Sequence, residues 1–293
     1  MEKKLKFSVI IPVYKDWERL KLCVKGLEQQ TLTQSEFEIL VVNNDEVDNS
    51  FQARYFPENM QLLHQPIPGS YSARNLAIEH ANGEILAFTD SDCIPDKDWL
   101  KNAWSHFSDK NVDRIGGNIT VFYKNEKKKT AAELYDSIFA FHQKELINKR
   151  KSSVTANLLV RKSAFFKVGF FDSTKLSGGD FYWNQQANKV GLSIKYANDV
   201  LVRHPARRTI RELAVKRRRV LGGANLPRTI SGRLAMIPYF IASRLIKPIA
   251  QVVFTKRLSP SEKVKVSLVI FYLYFTTNKE FIRLAFGGKP VRD

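Results

Sequence analysis

Short apolar runs alternate with segments whose apolar residues recur every three or four positions along the first hundred residues. Phe7–Val13 is apolar but for Ser8, and it reads as a buried strand. Glu18–Gln29 places Leu20, Val24 and Leu27 at helical spacing. Phe37–Val42 predicts a second strand, Met60–His64 a third, Ser72–His80 a helix and Ile85–Thr89 a further strand. A helix near Lys97–Phe107 follows. Strand and helix in alternation imply crossover connections and a parallel sheet. A second block, Ile115 to Tyr196, predicts a strand at Ile115–Tyr123, a helix at Ala131–Asn148, a strand at Val154–Val160 and two shorter helices, the last at Phe181–Val190. Lys124–Lys129 reads as an exposed loop, and no internal repeat is visible.

The strand at Ile85–Thr89 ends in Asp90-Ser91-Asp92. In an open α/β sheet, ligands bind at the carboxyl ends of strands. Two acids one residue apart repel each other and resist burial, so they call for a cation. A hard divalent metal completed by water and a substrate's phosphates meets that need; a solvated turn is the plainer reading.

Three other strand or loop ends carry candidate chemistry. Ile10-Ile11-Pro12-Val13-Tyr14 puts a proline where pairing should stop and a tyrosine whose flat face suits a base or ribose, or the core. Val42-Asn43-Asn44-Asp45 offers amides that both donate and accept, fit for a nucleobase edge or for Asx turns. Pro68-Gly69-Ser70-Tyr71-Ser72-Ala73-Arg74-Asn75 marks a loop feeding a helix whose amino end favours phosphate. Arg74 falls in its first turn, and Ser70 or Ser72 could serve as an ordinary cap.

The order of these motifs resembles the family 2 glycosyltransferases of the GT-A fold, over roughly Lys6 to His204. The resemblance implies that Pro12 and Tyr14 border the nucleoside of a nucleotide sugar and that Asn44 faces the base. It implies Arg74 near the base or diphosphate, Asp90 near the ribose, and Asp92 as ligand to Mg2+ or Mn2+. Asn43 and Asn44 stand where the family usually has acids. Asn157, within Thr155–Lys162, matches the segment beneath the reaction centre and is expected to bind substrate. The loop Leu176-Ser177-Gly178-Gly179-Asp180 is similar to one that carries a Glu-Asp pair; Gly179 replaces the Glu, and Asp180 is implied as the general base. His204, in Val202-Arg203-His204-Pro205, is implied as a second metal ligand.

Charge adds a partner. The chain has 293 residues and a net charge of +18, and Arg203–Arg257 holds 14 Lys or Arg against one acid, Glu212. Such a block suits an anionic membrane face or a phosphorylated substrate. Aromatics do not interleave with the arginines, which argues against nucleic acid. The Arg207–Arg219 stretch predicts a basic helix able to hold a diphosphate or a phosphate-bearing acceptor. Leu234–Phe254 is interrupted by Arg244, Lys247 and two prolines, and Val264–Phe275 is short for a span. Both read as helices lying in an anionic membrane surface, or as a hairpin packed on the catalytic domain or a second subunit. Cys23 and Cys93 have no metal-ligand spacing, and Met1–Lys6 has no leader character, so a cytoplasmic enzyme peripheral to the inner membrane face is expected.

The expectation is an α/β, GT-A-like Rossmann-type sandwich with a mainly parallel sheet over 1–206 (1–110 for the nucleotide sugar, 111–206 for the acceptor) and a basic helical extension over 207–293. Its expected activity is inverting transfer from a nucleoside-diphosphate sugar, UDP-linked first of all, to a hydroxyl of a glycan or lipid-linked acceptor in cell-envelope polysaccharide synthesis. The alternatives are a nucleotidyltransferase on a similar sheet, or a non-catalytic membrane- or polyanion-binding protein. Oligomerisation is left open.

Overall fold

In the computed structural model, which describes residues 5–47, 56–175, 177–223, 229, 231–232, 235–236 and 242–288, the chain divides into two units. One comprises Met1–Thr120, Phe141–Lys175 and Gly179–His204; the other comprises Val121–Ala140, Leu176–Gly178 and Pro205–Asp293. The strands are β1 (Phe7–Val13), β2 (Phe37–Asn43), β3 (Met60–His64), β4 (Ile85–Thr89), β5 (Ile94–Pro95), β6 (Arg114–Phe122), β7 (Asn157–Arg161) and β8 (Ile194–Pro205). They form one eight-stranded sheet in the order β3-β2-β1-β4-β7-β6-β8-β5.

The first four strands in that order are parallel. β1 lies with Phe7 opposite Phe37 and Val13 opposite Asn43, and with Phe7 opposite Ile85 on its other side. β7 runs antiparallel to β4, with Thr89 opposite Asn157, so the start of β7 lies at the edge where β4 ends. Pro12 does not end β1. Pairing with β4 stops at Ile10, yet the strand stays in register with β2 through Pro12 and Val13. A missing N–H is harmless on the side that has already left its neighbour.

Side-chain alternation distributes the core to both faces. Val9, Ile11 and Val13 pack with Leu20, Cys23 and Leu27 of α1 (Trp17–Glu28) and with Trp99 and Leu100 of α3 (Trp99–Phe107). Ile10, Val42, Leu86 and Phe88 pack on the other face. Their partners are Ala73, Ala77 and Ile78 of α2 (Ser70–His80), Phe165 of α6 (Lys162–Val168) and Trp183 of α7 (Gly179–Lys189). Strands covered on both faces read as continuous apolar runs, which made this half legible.

The predicted helix over 131–148 is two helices, α4 (Ala131–Phe139) and α5 (Gln143–Arg150), separated by Phe141 at φ 52°. A left-handed non-glycine residue cannot continue the helical ladder. The buried Gln143 amide donates to Ser153 Oγ at 2.8 Å and accepts from Val154 N at 3.1 Å, tying α5 to the segment before β7. That segment is a turn, and β7 begins at Asn157 rather than at Val154.

The second unit has its own core. Ala132, Tyr135 and Ile138 of α4 cluster with Leu213 of α8 (Ile210–Gly222), Val252 of α9 (Lys247–Phe254), and Val266, Ile270 and Leu273 of α10 (Pro260–Ala285). This unit resumes at Pro205, beside the expected boundary at 206, and takes in α4 as well. Thr130, Thr209 and Ser259 each start a helix with a capping box to the Glu three residues on. Some of the basic block is used internally: Arg207 pairs with the buried Asp136 at 3.0 Å, and Arg217 donates to the Tyr135 hydroxyl. Burial among these arginines pushes Lys216 down to about 8. Among the described residues, no helix is long and apolar enough to cross a membrane. Part of the Leu234–Phe254 run lies outside the described residues.

One buried cation braces the first unit. The Arg114 guanidinium on β6 donates to Asn184 Oδ1 and Asn188 Oδ1 of α7, both at 2.7 Å, to the Leu192 carbonyl at 2.7 Å and to the Ser193 carbonyl at 3.2 Å. Arg114→Met leaves these acceptors without a donor, and denaturant unfolding should show a loss of about 3 kcal/mol; a loss within 0.5 kcal/mol, roughly what a surface change gives, would contradict this role.

Candidate active site

Parallel pairing brings the carboxyl ends of β1, β2 and β4 to one edge of the sheet, and the antiparallel β7 adds its amino end. Tyr14 follows β1 there and is half exposed; Lys15, at φ 54°, holds its ammonium 5.2 Å from the Tyr14 ring and 3.9 Å from Asp45.

Asn43 and Asn44 show the turn-forming role. Asn43 donates to the Val47 carbonyl at 2.8 Å and accepts from Asp45 N at 3.1 Å. Asn44 donates to the Gln65 and Ile67 carbonyls at 2.7 and 2.8 Å and accepts from Gly69 N at 2.7 Å. Both side chains are buried, and Asn44 fixes the loop that opens α2 instead of presenting its amide to a base. Gly69 caps α2 at φ 136°, a conformation that favours glycine, while the Ser72 hydroxyl turns back to the Ile67 and Gly69 carbonyls. Since α2 begins at Ser70, Arg74 lies in its second turn rather than its first.

Arg74 is 3% exposed and donates to Asp90 Oδ1 at 2.6 Å. Its guanidinium carbon is 5.7 Å from the Tyr71 ring. Asp92, two residues after Asp90, faces different partners. Its Oδ2 lies 3.4 Å from Arg19 Nη1 and 3.5 Å from His204 Nε2. Arg19 is itself held by Asp16 at 2.8 Å, and the Ser91 hydroxyl donates to Asp16 at 3.4 Å. The buried His204 ring packs on Phe141 with centroids 4.5 Å apart. Of the predicted acids, Asp92 thus sits beside His204, and Arg19 of α1 and Asp16 just before that helix join it. The i, i+3 spacing of Asp16 and Arg19 announced a helical ion pair, not a site.

Ligand atoms of Asp92, Cys93 and His204 lie within 4.8 Å of one another. Burial pushes the Cys93 thiol far up, so it keeps its proton and is a poor donor for a hard cation. A carboxylate and an imidazole are donors that a divalent cation can use, so Asp92 and His204 are the residues that could hold the expected ion.

Asp180 opens α7. Its Oδ1 accepts from Phe181 N at 2.8 Å and from the Tyr71 hydroxyl at 3.2 Å, and its Oδ2 accepts from Thr155 N at 3.4 Å. Burial raises its pKa above the usual carboxylate value, opposed by these donors and by the Arg74 charge. A carboxylate so held can take a proton from a hydroxyl. Asn157 takes a different part from the one expected. It is fully buried, accepts from Trp99 Nε1 at 2.9 Å and donates to the Asn118 and Val200 carbonyls at 2.8 and 2.9 Å. These bonds brace the sheet beneath the site and use both of its amide hydrogens. Tyr71, absent from the expected set, is the residue that links α2 to Asp180; in sequence, its place amid a capping motif read as ordinary loop chemistry.

Similar proteins place the chain in a family. Residues 8–175 match the sequence profile of Glycosyl transferase family 2. Glycosyltransferase AglE of Haloferax volcanii is 42% identical over 205 residues, 68% of this chain and 67% of its own length. Poly(ribitol-phosphate) beta-N-acetylglucosaminyltransferase TarS of Staphylococcus aureus is 30% identical over 114 residues, 37% of this chain and 20% of its own length. The crystal structure of S. aureus TarS 1–349 with UDP-GlcNAc shares the fold (TM-score 0.54, 18% identity, covering 93% of this chain and 73% of that one). So does the mannosyltransferase PcManGT from Pyrobaculum calidifontis with GDP-Man and Mn2+ (TM-score 0.57, 16% identity, covering 97% and 76%). The fold is that of GT-A enzymes, and the nucleotidyltransferase and non-catalytic readings fall away. With its profile match covering more than half of its 293 residues, the chain belongs to glycosyl transferase family 2.

Proposed function

We propose that the protein transfers a sugar, with inversion, from a nucleoside-diphosphate sugar to a hydroxyl of a glycan or lipid-linked acceptor used in building the cell envelope. The observation that carries this reading is the cation shared across the site: Arg74 pairs with Asp90 at 2.6 Å while its charge also acts on Asp180. Donor-side acid and candidate base are thereby neighbours. Tyr14 borders the nucleoside, with Pro12 behind it in β1, and Asp90 lies toward the ribose. A uridine-linked sugar is the first donor to test. Relatives named for poly(ribitol-phosphate) make an acceptor that carries phosphate one to test.

Asp180 accepts the acceptor hydroxyl's proton on Oδ2, the oxygen with the single long hydrogen bond. The hydroxyl oxygen bonds to the anomeric carbon from the face opposite the diphosphate, whose C–O bond breaks. Opposite-side attack gives inversion. Asp92 and His204 would hold the divalent ion, which when bound neutralises charge gathering on the leaving diphosphate. The base works only when deprotonated, so transfer falls as pH drops through its raised pKa.

The second unit supports a place for the enzyme at the inner membrane face. On α10, Val264, Leu268, Phe271, Phe275 and Ile282 are exposed at spacings of three, four and seven residues, opposite the buried Val266, Ile270 and Leu273. Lys256, Arg257, Lys265, Lys279 and Arg283 are exposed beside them. Apolar residues flanked by cations suit an anionic bilayer surface, each cation adding about 1 kcal/mol.

Asp180→Asn should lower transfer by about 1,000-fold while leaving nucleotide-diphosphate affinity, read by calorimetry, unchanged. Retained transfer with weakened nucleotide binding would overturn the assignment. In flotation, the chain should rise with vesicles containing phosphatidylglycerol and stay behind with pure phosphatidylcholine. Phe271→Glu with Phe275→Glu should abolish flotation; equal flotation with both vesicle types, or none with either, would contradict the membrane reading.

A further inference from the structure

The residue before Asp180 poses a question that its backbone does not answer. Gly179 has no left-handed φ, so conformation alone does not call for glycine. A neighbour calls for it. A Cβ built at position 179 would stand 2.7 Å from Tyr71 Cε2, 2.8 Å from Cζ and 2.9 Å from Cδ2, closer than such contacts are made. The ring has little freedom to withdraw: Tyr71 is 6% exposed, its ring lies 5.7 Å from Phe171, and the Arg74 guanidinium stands beside it. From that position its hydroxyl donates to Asp180 Oδ1 at 3.2 Å.

We propose that Tyr71 is a positioning residue for the base: its ring occupies the space that a side chain at 179 would fill, and its hydroxyl holds and tunes the Asp180 carboxylate. The inference rests on the reading of Asp180 as general base. Burial and the neighbouring carboxylate push the Tyr71 phenol far up, so it stays protonated and donates at every working pH. The groups facing Asp180 are Tyr71 and Arg74 from α2, the Thr155 amide before β7 and the Phe181 amide of its own helix; each favours the ionised carboxylate. Removing the hydroxyl takes away one of these four and leaves burial unchanged, so the carboxyl should hold its proton to higher pH. The hydroxyl also fixes which oxygen remains for the acceptor. Held at Oδ1 by two donors, the carboxylate keeps Oδ2 toward Thr155.

The deciding experiment needs no substrate. In the full chain labelled with 13C at aspartate carboxyls, the Asp180 signal is identified by its absence in Asp180→Asn and titrated in the wild type and in Tyr71→Phe. The phenylalanine keeps the ring and so the packing. The midpoint should rise by about one pH unit. A second measurement follows turnover of the donor that Asp180→Asn no longer uses: in Tyr71→Phe, kcat should fall about tenfold and its acidic limb should move to higher pH, with KM for the donor unchanged. Gly179→Ala, by forcing the ring aside, should reproduce the titration shift. An unmoved midpoint in Tyr71→Phe, or in a folded Gly179→Ala chain, overturns the proposal even if Asp180→Asn is inactive. If Asp180→Asn still transfers sugar, the general-base reading fails, whatever the titration of Tyr71→Phe shows.

Discussion

A guanidinium buried at the end of a strand is expensive unless its charge is answered, and Arg74 is answered by Asp90 at 2.6 Å. That pair fixes the start of α2 against the end of β4. Because Tyr71 and Arg74 are neighbours on one helix, whatever holds Arg74 also holds the Tyr71 ring above Gly179 and its hydroxyl on Asp180. The carboxylates of the edge therefore fall into two groups. Asp90 is compensated by a permanent cation from within the fold. Asp92 faces the half-exposed Arg19 and the ring of the buried His204, at 3.4 and 3.5 Å.

The rest of the first unit serves to keep that edge still. Asn44 ties the ends of β2 and β3 to the α2 cap, Asn157 braces β7 against β6 and β8, and Arg114 clamps α7, the helix that begins with Asp180. Each is a polar group buried with hydrogen bonds to neighbouring elements, so each rigidifies the site.

How far the sequence could be read follows from which interactions are local. Strands buried on both faces announce themselves as apolar runs, and β1, β2 and β4 were legible for that reason. The long β8 was not, because Lys195, Asn198, Asp199 and Arg203 break up its apolar residues. The break at Phe141 was hidden because the apolar spacing carries on past it; what stops the helix is a single left-handed residue. Asp90, Asp92, Arg74 and His204 were named from motif order, and they stand in two pairs, Arg74 with Asp90 and His204 with Asp92. Asn44 and Asn157 were chosen by residue type, and type cannot tell an amide that binds a ligand from one that joins two strands. Tyr71 was invisible as a functional residue because its partner lies 109 positions away.

The division of labour between the two aspartates is the claim on which the account turns, and manganese binding followed by electron paramagnetic resonance in the presence of UDP tests it directly. Asp92→Asn should lose the bound-ion signal, while Asp90→Asn, whose native charge is already taken up by Arg74, should retain most of it. Equal loss in the two variants, or a signal indifferent to Asp92, would contradict it.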